Sequence, residues 1–143
     1  MRDSLYLIDT SIWLEVLPAK RATTQLRERV DSLLAVDQVA TTGMIFLELM
    51  GGARNETDYV KLQRMLSALY LLPAADKCWS EAAEMSFRLR RRGLVVPFTD
   101  ILIAAIAVAA KATVLHRDRH FDMIAEQVPL SVESHIPAAS GSI

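Results

Sequence analysis

The sequence predicts an α/β fold, a short parallel sheet of four to five strands with helices on both faces. Two observations carry this expectation. Short apolar runs alternate with stretches of helical periodicity along the whole chain. Those runs are almost continuously apolar, as in strands buried on both faces. No repeat, low-complexity tract or linker divides the 143 residues, so one domain over 1–133 with a tail over 134–143 is expected.

Leu5-Tyr6-Leu7-Ile8 reads as a first buried strand ending at Asp9. Thr10 and Ser11 are good helix caps ahead of a short helix over 12–17, which Pro18 stops. Residues 22–36 place Leu26, Val30, Leu33 and Leu34 on one helical face. Val39-Ala40 is a short strand, and Thr41-Thr42 precede a helix over 44–50 that Gly51-Gly52 end. A helix over 56–70 carries Tyr59, Leu62, Met65, Leu66 and Leu69 on one face, and Leu71-Leu72-Pro73 is a strand or turn. The helix over 75–92 closes on Arg88, Arg90, Arg91, Arg92 and Gly93, basic residues and a glycine suited to a helix C-terminus. Thr99 caps a buried helix over 100–111. Ala112–Leu115 is a strand, His116–His120 a polar loop, Phe121–Glu126 a short helix and Leu130–Val132 a last strand.

At this length a chain buries roughly 70% of its unfolded surface, so one core suffices without staples. The net charge of −1 excludes a global positive field for nucleic acid, so any RNA contact depends on local basic patches. Cys78 is the single cysteine, which excludes an intrachain disulfide. Ile101–Ala110, the most apolar run, is about half the length of a membrane span. The N-terminus lacks the pattern of a signal peptide, and the expected location is the cytoplasm.

Of 17 acidic residues, four stand apart. Asp9 directly follows a predicted strand, and Asp118 follows another by three residues. Parallel strands would bring both to one sheet edge, where functional residues gather. Asp100 opens an apolar helix, where free N–H groups favour a carboxylate. Glu48 lies within Met44–Met50 with no basic residue at i±3 or i±4, a costly place for an unpaired charge. A divalent cation would relieve such crowding. Mg²⁺ or Mn²⁺ prefers oxygen ligands and, with phosphate, supports hydrolysis by activated water.

These pieces resemble the PIN-domain family, and within it the VapC toxins of toxin–antitoxin pairs. The matching residues are Leu7-Ile8-Asp9-Thr10-Ser11, Glu48, Thr99-Asp100-Ile101-Leu102-Ile103-Ala104-Ala105, and Arg117-Asp118-Arg119-His120-Phe121. They occur in the family's order over nearly the whole chain. The resemblance implies a three-layer α/β/α fold, a Mg²⁺- or Mn²⁺-dependent endoribonuclease, a homodimer, and neutralisation by a VapB-like antitoxin. It maps the catalytic acids onto Asp9, Glu48, Asp100 and Asp118, with Asp9, Asp100 and Asp118 as metal ligands. Thr10 or Ser11 matches a hydroxyl position beside the metal. Many relatives carry Thr or Asn where His116 stands, and Asp122 is a second candidate for the fourth acid.

Other features have competing readings. His116, Asp118, His120 and Asp122 offer a zinc constellation, set against a polar loop beside the site, and no cysteine pair supports zinc. Arg117 and Arg119 flank Asp118 and are candidates to grip phosphate, and Arg88–Arg92 for RNA or for helix termination. The apolar faces of 44–50 and 59–71 either pack together or serve a dimer or antitoxin contact. A Mg²⁺-binding receiver domain is disfavoured because Asp9 is followed by Thr-Ser, Asp37 precedes a strand, and Lys111 lies inside a helix. A non-catalytic relative, or a nuclease preferring single-stranded DNA, completes the alternatives. The RNA target is not legible here.

Overall fold

The computed structural model describes residues 4–17 and 24–138. Five strands form one sheet: β1 (Tyr6–Ile8), β2 (Val39–Thr42), β3 (Tyr70–Leu72), β4 (Thr113–His116) and β5 (Ser131–Ser134). Their order is β3-β2-β1-β4-β5, and every neighbouring pair is parallel. Tyr6 stands beside Val39 on one side and Thr113 on the other, and Ile8 is level with Leu115. The strands run outward from β1 in both directions, so the winding reverses between β1 and β4. At such a reversal the carboxyl ends of the strands leave a crevice. This order is not the 2-1-3-4-5 winding that a receiver domain requires.

Seven helices lie among the described residues: α1 (Thr10–Val16), α2 (Thr24–Ala35), α3 (Gly43–Gly51), α4 (Glu56–Ser67), α5 (Asp76–Arg91), α6 (Phe98–Ala110) and α7 (Arg119–Ala125). Right-handed crossovers put α1–α4 on one face and α5–α7 on the other. The packing agrees: α3 meets α1 and α4, while α6 meets α5 and α7. The result is the expected three-layer sandwich. Its core joins Leu7, Ile8, Ala40, Val114 and Leu115 of the strands to Trp13, Ile45, Leu89 and Phe121 of the helices. Each large apolar side chain so buried contributes roughly 1.5–3 kcal/mol. Helix α6 is buried continuously from Asp100 to Ala107, as its composition predicts. No helix among the described residues is long and apolar enough to cross a membrane.

Several boundaries differ from the sequence reading. Helix α1 begins at Thr10 and is capped by Asp9, whose carboxylate accepts from Ser11 N–H at 3.0 Å. Thr10 and Ser11 therefore lie inside the helix. Thr41 and Thr42 belong to β2, and Thr42 precedes α3 without a side-chain cap bond. Tyr70–Leu72 is a strand rather than a turn. Helix α6 starts at Phe98 behind Pro97, so Thr99 is a residue of its first turn and not its cap. The expected loop over 116–120 is mostly structured, because β4 extends through His116 and α7 starts at Arg119. Lys111 stands past the end of α6 as its C-cap. Ser134 belongs to β5, and His135 N–H donates to the His116 carbonyl at 2.7 Å, so the tail is tied down to that point. Pro18 and residues 139–143 fall outside the described residues.

Candidate metal centre

The carboxyl ends of β1 and β4 deliver the first two acids. Asp9 N–H donates to the Leu115 carbonyl at 3.0 Å, which fixes the chain as it leaves β1. The Asp9 side chain is 4% exposed. Ser11 holds it twice, with Oγ at 2.6 Å and backbone N at 3.0 Å from Oδ2. The same Ser11 Oγ accepts from Arg117 N–H at 2.9 Å, so one hydroxyl links the exits of both strands. Asp118 is the N-cap of α7, accepting from His120 N–H at 2.9 Å.

The helices bring the other two. Helix α6 runs antiparallel to the strands, so its first turn lies at their carboxyl edge and presents Asp100, 9% exposed. Glu48 projects from α3 and accepts from the Thr10 hydroxyl at 3.1 Å. Among the described residues it has no cationic partner, and a hydroxyl from α1 orients it.

Electrostatics records how crowded these groups are. Burial holds the Asp100 carboxyl up to about 8, reinforced by a hydrogen bond and repulsion from Asp118 and by the charges of Asp9 and Glu48. Burial also raises Asp9, against the lowering effect of its Ser11 bonds. Glu48 is raised by burial and by the Asp9 charge, opposed by the Thr10 bond. The four sequence-predicted acids are thus one interacting group.

Other predicted residues fall into different places. Asp122 does not join the cluster but pairs with His116, Oδ1 to Nε2 at 3.0 Å. His116 is wholly buried at the end of β4, with Nδ1 accepting from Asp118 N–H at 3.1 Å. It braces the turn that carries Asp118 and cannot reach a substrate. Arg117 pairs with Glu15 of α1 at 3.3 Å, which engages the cation expected to grip phosphate. Arg119 is exposed at the start of α7, and Thr99 is half-buried beside Asp100. The zinc constellation is split: His116 faces Asp122, while His120 turns the other way.

His120, which the sequence offered only as part of a zinc constellation, lies beside the acids. Its Nδ1 lies 2.9 Å from Asp118 Oδ1 and 3.3 Å from Asp100 Oδ2. Among the described residues, Asp100, Asp118 and His120 are the group whose ligand atoms all lie within 4.8 Å of one another. The available signal was its place two residues past Asp118 at a helix start.

The PIN domain family model matches residues 6–127, which takes in all four acids. The chain belongs to the PIN-domain family. It is 31% identical over 132 residues to Ribonuclease VapC11 of Mycobacterium tuberculosis H37Rv, covering 91% of this chain and 98% of that one. Ribonuclease VapC51 of the same strain is 32% identical over 139 residues, covering 94% and 96%. These relatives place this PIN domain in the VapC branch. In fold it is similar to Rickettsia felis VapBC2, crystallised with a DNA fragment from its promoter, with a TM-score of 0.77 at 24% identity over 91% of this chain and 98% of that one.

Two further surfaces of this PIN domain bear on partners. A groove of about 530 Å³ runs between α1 and α4, lined by Leu14, Leu17, Leu62 and Met65. Leu47, Tyr59 and Leu71 stay exposed on the faces over 44–50 and 59–71, although α3 and α4 pack on each other. On the opposite layer, Arg90 stacks over Phe98 at 5.2 Å and Arg91 over Phe87 at 5.7 Å, so two of the four clustered arginines are engaged by rings.

Proposed function

We propose that this chain is a divalent-metal-dependent endoribonuclease and the toxin half of a toxin–antitoxin pair. The observation that carries the reading is the convergence of Asp9, Glu48, Asp100 and Asp118 at the switch point, with Asp100 forced up to about 8 by burial and by its neighbours. A group of carboxylates this crowded fits a hard cation, which would neutralise it through oxygen donors. Asp9, Asp100 and Asp118 would hold Mg²⁺ or Mn²⁺. When bound, such a cation supplies positive charge for the phosphodiester oxygens and a more acidic water.

The chain's own residues prepare that chemistry. Ser11 fixes the Asp9 carboxylate, and the α7 cap fixes Asp118. Glu48, oriented by Thr10, would hold the attacking water and accept its proton. RNA as substrate is supported by the ribonuclease relatives. The apolar groove between α1 and α4 suits an amphipathic antitoxin helix. A homodimer is part of the same reading.

The test compares wild type with Asp9→Asn and Asp100→Asn on RNA and single-stranded DNA oligonucleotides, with chelator controls. Both variants should keep their circular dichroism and lose cleavage, and wild type should cut RNA in preference. Full activity of either variant overturns the reading, and a preference for DNA reassigns the substrate.

A further inference from the structure

We propose that His120 is itself a metal ligand, so that the centre combines carboxylate oxygens with one imidazole nitrogen and prefers Mn²⁺ to Mg²⁺. This rests on the metal-centre reading above and adds to it a donor of different chemistry.

The first observation is convergence. His120 Nδ1 faces Asp118 Oδ1 at 2.9 Å and Asp100 Oδ2 at 3.3 Å. Neighbouring ligands held about 2.1 Å from a six-coordinate cation are themselves about 3 Å apart. The two separations are those of atoms sharing one cation.

The second observation is what these contacts are not. Nδ1 is shielded from solvent, yet it makes no hydrogen bond to either oxygen or to any other atom of the described residues. An imidazolium serving only as counter-ion would aim its N–H at a carboxylate oxygen, because a charge-assisted hydrogen bond is the strongest contact on offer. Here Nδ1 is close to both oxygens and hydrogen-bonded to neither. Two ligands adjacent on one cation show this geometry, because each aims at the ion and not at the other.

The third is pre-organisation. Asp118 Oδ1 accepts from His120 N–H at 2.9 Å, so the cap of α7 fixes backbone and ring together. Phe121, the next residue, is fully buried and anchors the turn. Little rearrangement is needed to present oxygen and nitrogen side by side.

A nitrogen donor changes selectivity. Mg²⁺ favours an all-oxygen shell, whereas imidazole is a better partner for transition-metal ions. The experiment is calorimetric titration of the metal-free, full-length protein with MnCl₂ and with MgCl₂, for wild type, His120→Ala and His120→Asp. Wild type should bind Mn²⁺ at least about tenfold more tightly than Mg²⁺. His120→Ala should weaken Mn²⁺ about tenfold while changing Mg²⁺ by no more than about twofold, and His120→Asp should keep Mg²⁺ binding without the preference. Pulsed electron paramagnetic resonance of the Mn²⁺-loaded wild type should show directly bound nitrogen that His120→Ala removes. An unchanged Mn²⁺-to-Mg²⁺ ratio in His120→Ala, or no nitrogen coupling in wild type, overturns the assignment. Asp100→Asn separates the two levels: if it binds Mn²⁺ like wild type, the metal-centre reading itself fails. If Asp100→Asn abolishes binding while His120→Ala changes nothing, the His120 assignment alone fails.

Discussion

Asp118 and Asp122 are one helical turn apart, yet their surroundings give them different work. Asp118 shares a hydrogen bond and its charge with Asp100. Asp122 is 41% exposed and faces the Nε2 of His116. Because His116 Nδ1 accepts from Asp118 N–H, the ring proton sits on Nε2 and donates to Asp122. Burial pushes the His116 imidazole below its ordinary value, which keeps it neutral in this role. Asp118→Asn should therefore lower RNA cleavage by at least about a hundredfold, since it removes a ligand charge. Asp122→Asn keeps an acceptor for His116 and should stay within a few-fold of wild type, at a stability cost of about 1 kcal/mol or less. Initial rates and denaturant midpoints of the two variants check this, and equal losses of cleavage would make Asp122 the fourth acid. Sequence made Asp9, Glu48 and Asp100 visible because a carboxylate in apolar surroundings is conspicuous, and Asp118 through its place after a strand and within a family motif. His120 was offered with His116 and Asp122 instead, because its nearness to Asp100 depends on the packing of α7 against α6, which no local pattern encodes.

Three helices end in the same way, and the residue at the turn differs each time. Helix α5 ends at Gly93 with φ 79°, and Leu94 N–H returns to the Leu89 carbonyl at 2.9 Å. After α2, Asp37 takes φ 57° and Gln38 N–H reaches Leu33 at 3.1 Å. After α6, Lys111 takes φ 54° and Ala112 N–H reaches Ala107 at 2.9 Å. A side chain in this left-handed region costs about 1–2 kcal/mol, and glycine's greater unfolded freedom returns about 0.5–1. Lys111→Gly should accordingly stabilise the protein by roughly 0.5–1 kcal/mol. Asp37→Gly should gain almost nothing, because Asp37 Oδ2 accepts from the Tyr70 hydroxyl at 2.9 Å and that bond is worth about 1 kcal/mol. Denaturant unfolding of both variants tests the contrast, and a gain from Asp37→Gly matching that from Lys111→Gly would refute it. The Gly93 stop was legible from composition; the stop at Lys111 was not, since lysine does not signal a positive φ, and Asp37 signals one only weakly. Helix starts misled for a related reason. Asp9 serves as cap and candidate ligand together, and Pro97 opens α6 with no capping side chain.

At the scale of the whole molecule, alternating strands and helices made the parallel sheet legible, but the order β3-β2-β1-β4-β5 depends on pairings that no local pattern encodes. That order places Asp9 and Asp118 on either side of one crevice and sets up a conflict between site and stability. Asp100 has an ordinary value of 3.8 and is held up to about 8 in the fold. Between those values the folded state binds more protons than the unfolded, so stability falls as pH rises and levels off above the folded value. Asp9 and Glu48, also raised, act in the same sense. Two groups act oppositely, but at lower pH. His116 is depressed below 6.5, and Glu133 is depressed below 4.5 by its bonds to Arg29 at 2.7 and 2.9 Å, so their stabilisation is lost on acidification. Above about pH 7 the acid cluster dominates. The melting temperature of the chelated protein should therefore drop by several degrees between about pH 7 and pH 9. A bound divalent cation reverses the sign, because it binds the deprotonated carboxylates and its own stabilisation grows with pH. At a hundredfold excess over its dissociation constant it adds about 2.7 kcal/mol. Melting curves with chelator should slope downward over this window, and those with saturating Mn²⁺ should be flat or rise. Asp100→Asn should be flatter than wild type in chelator and insensitive to the metal. A chelated wild type that melts at the same temperature at both pH values would show that the carboxylates do not repel one another as their crowding requires.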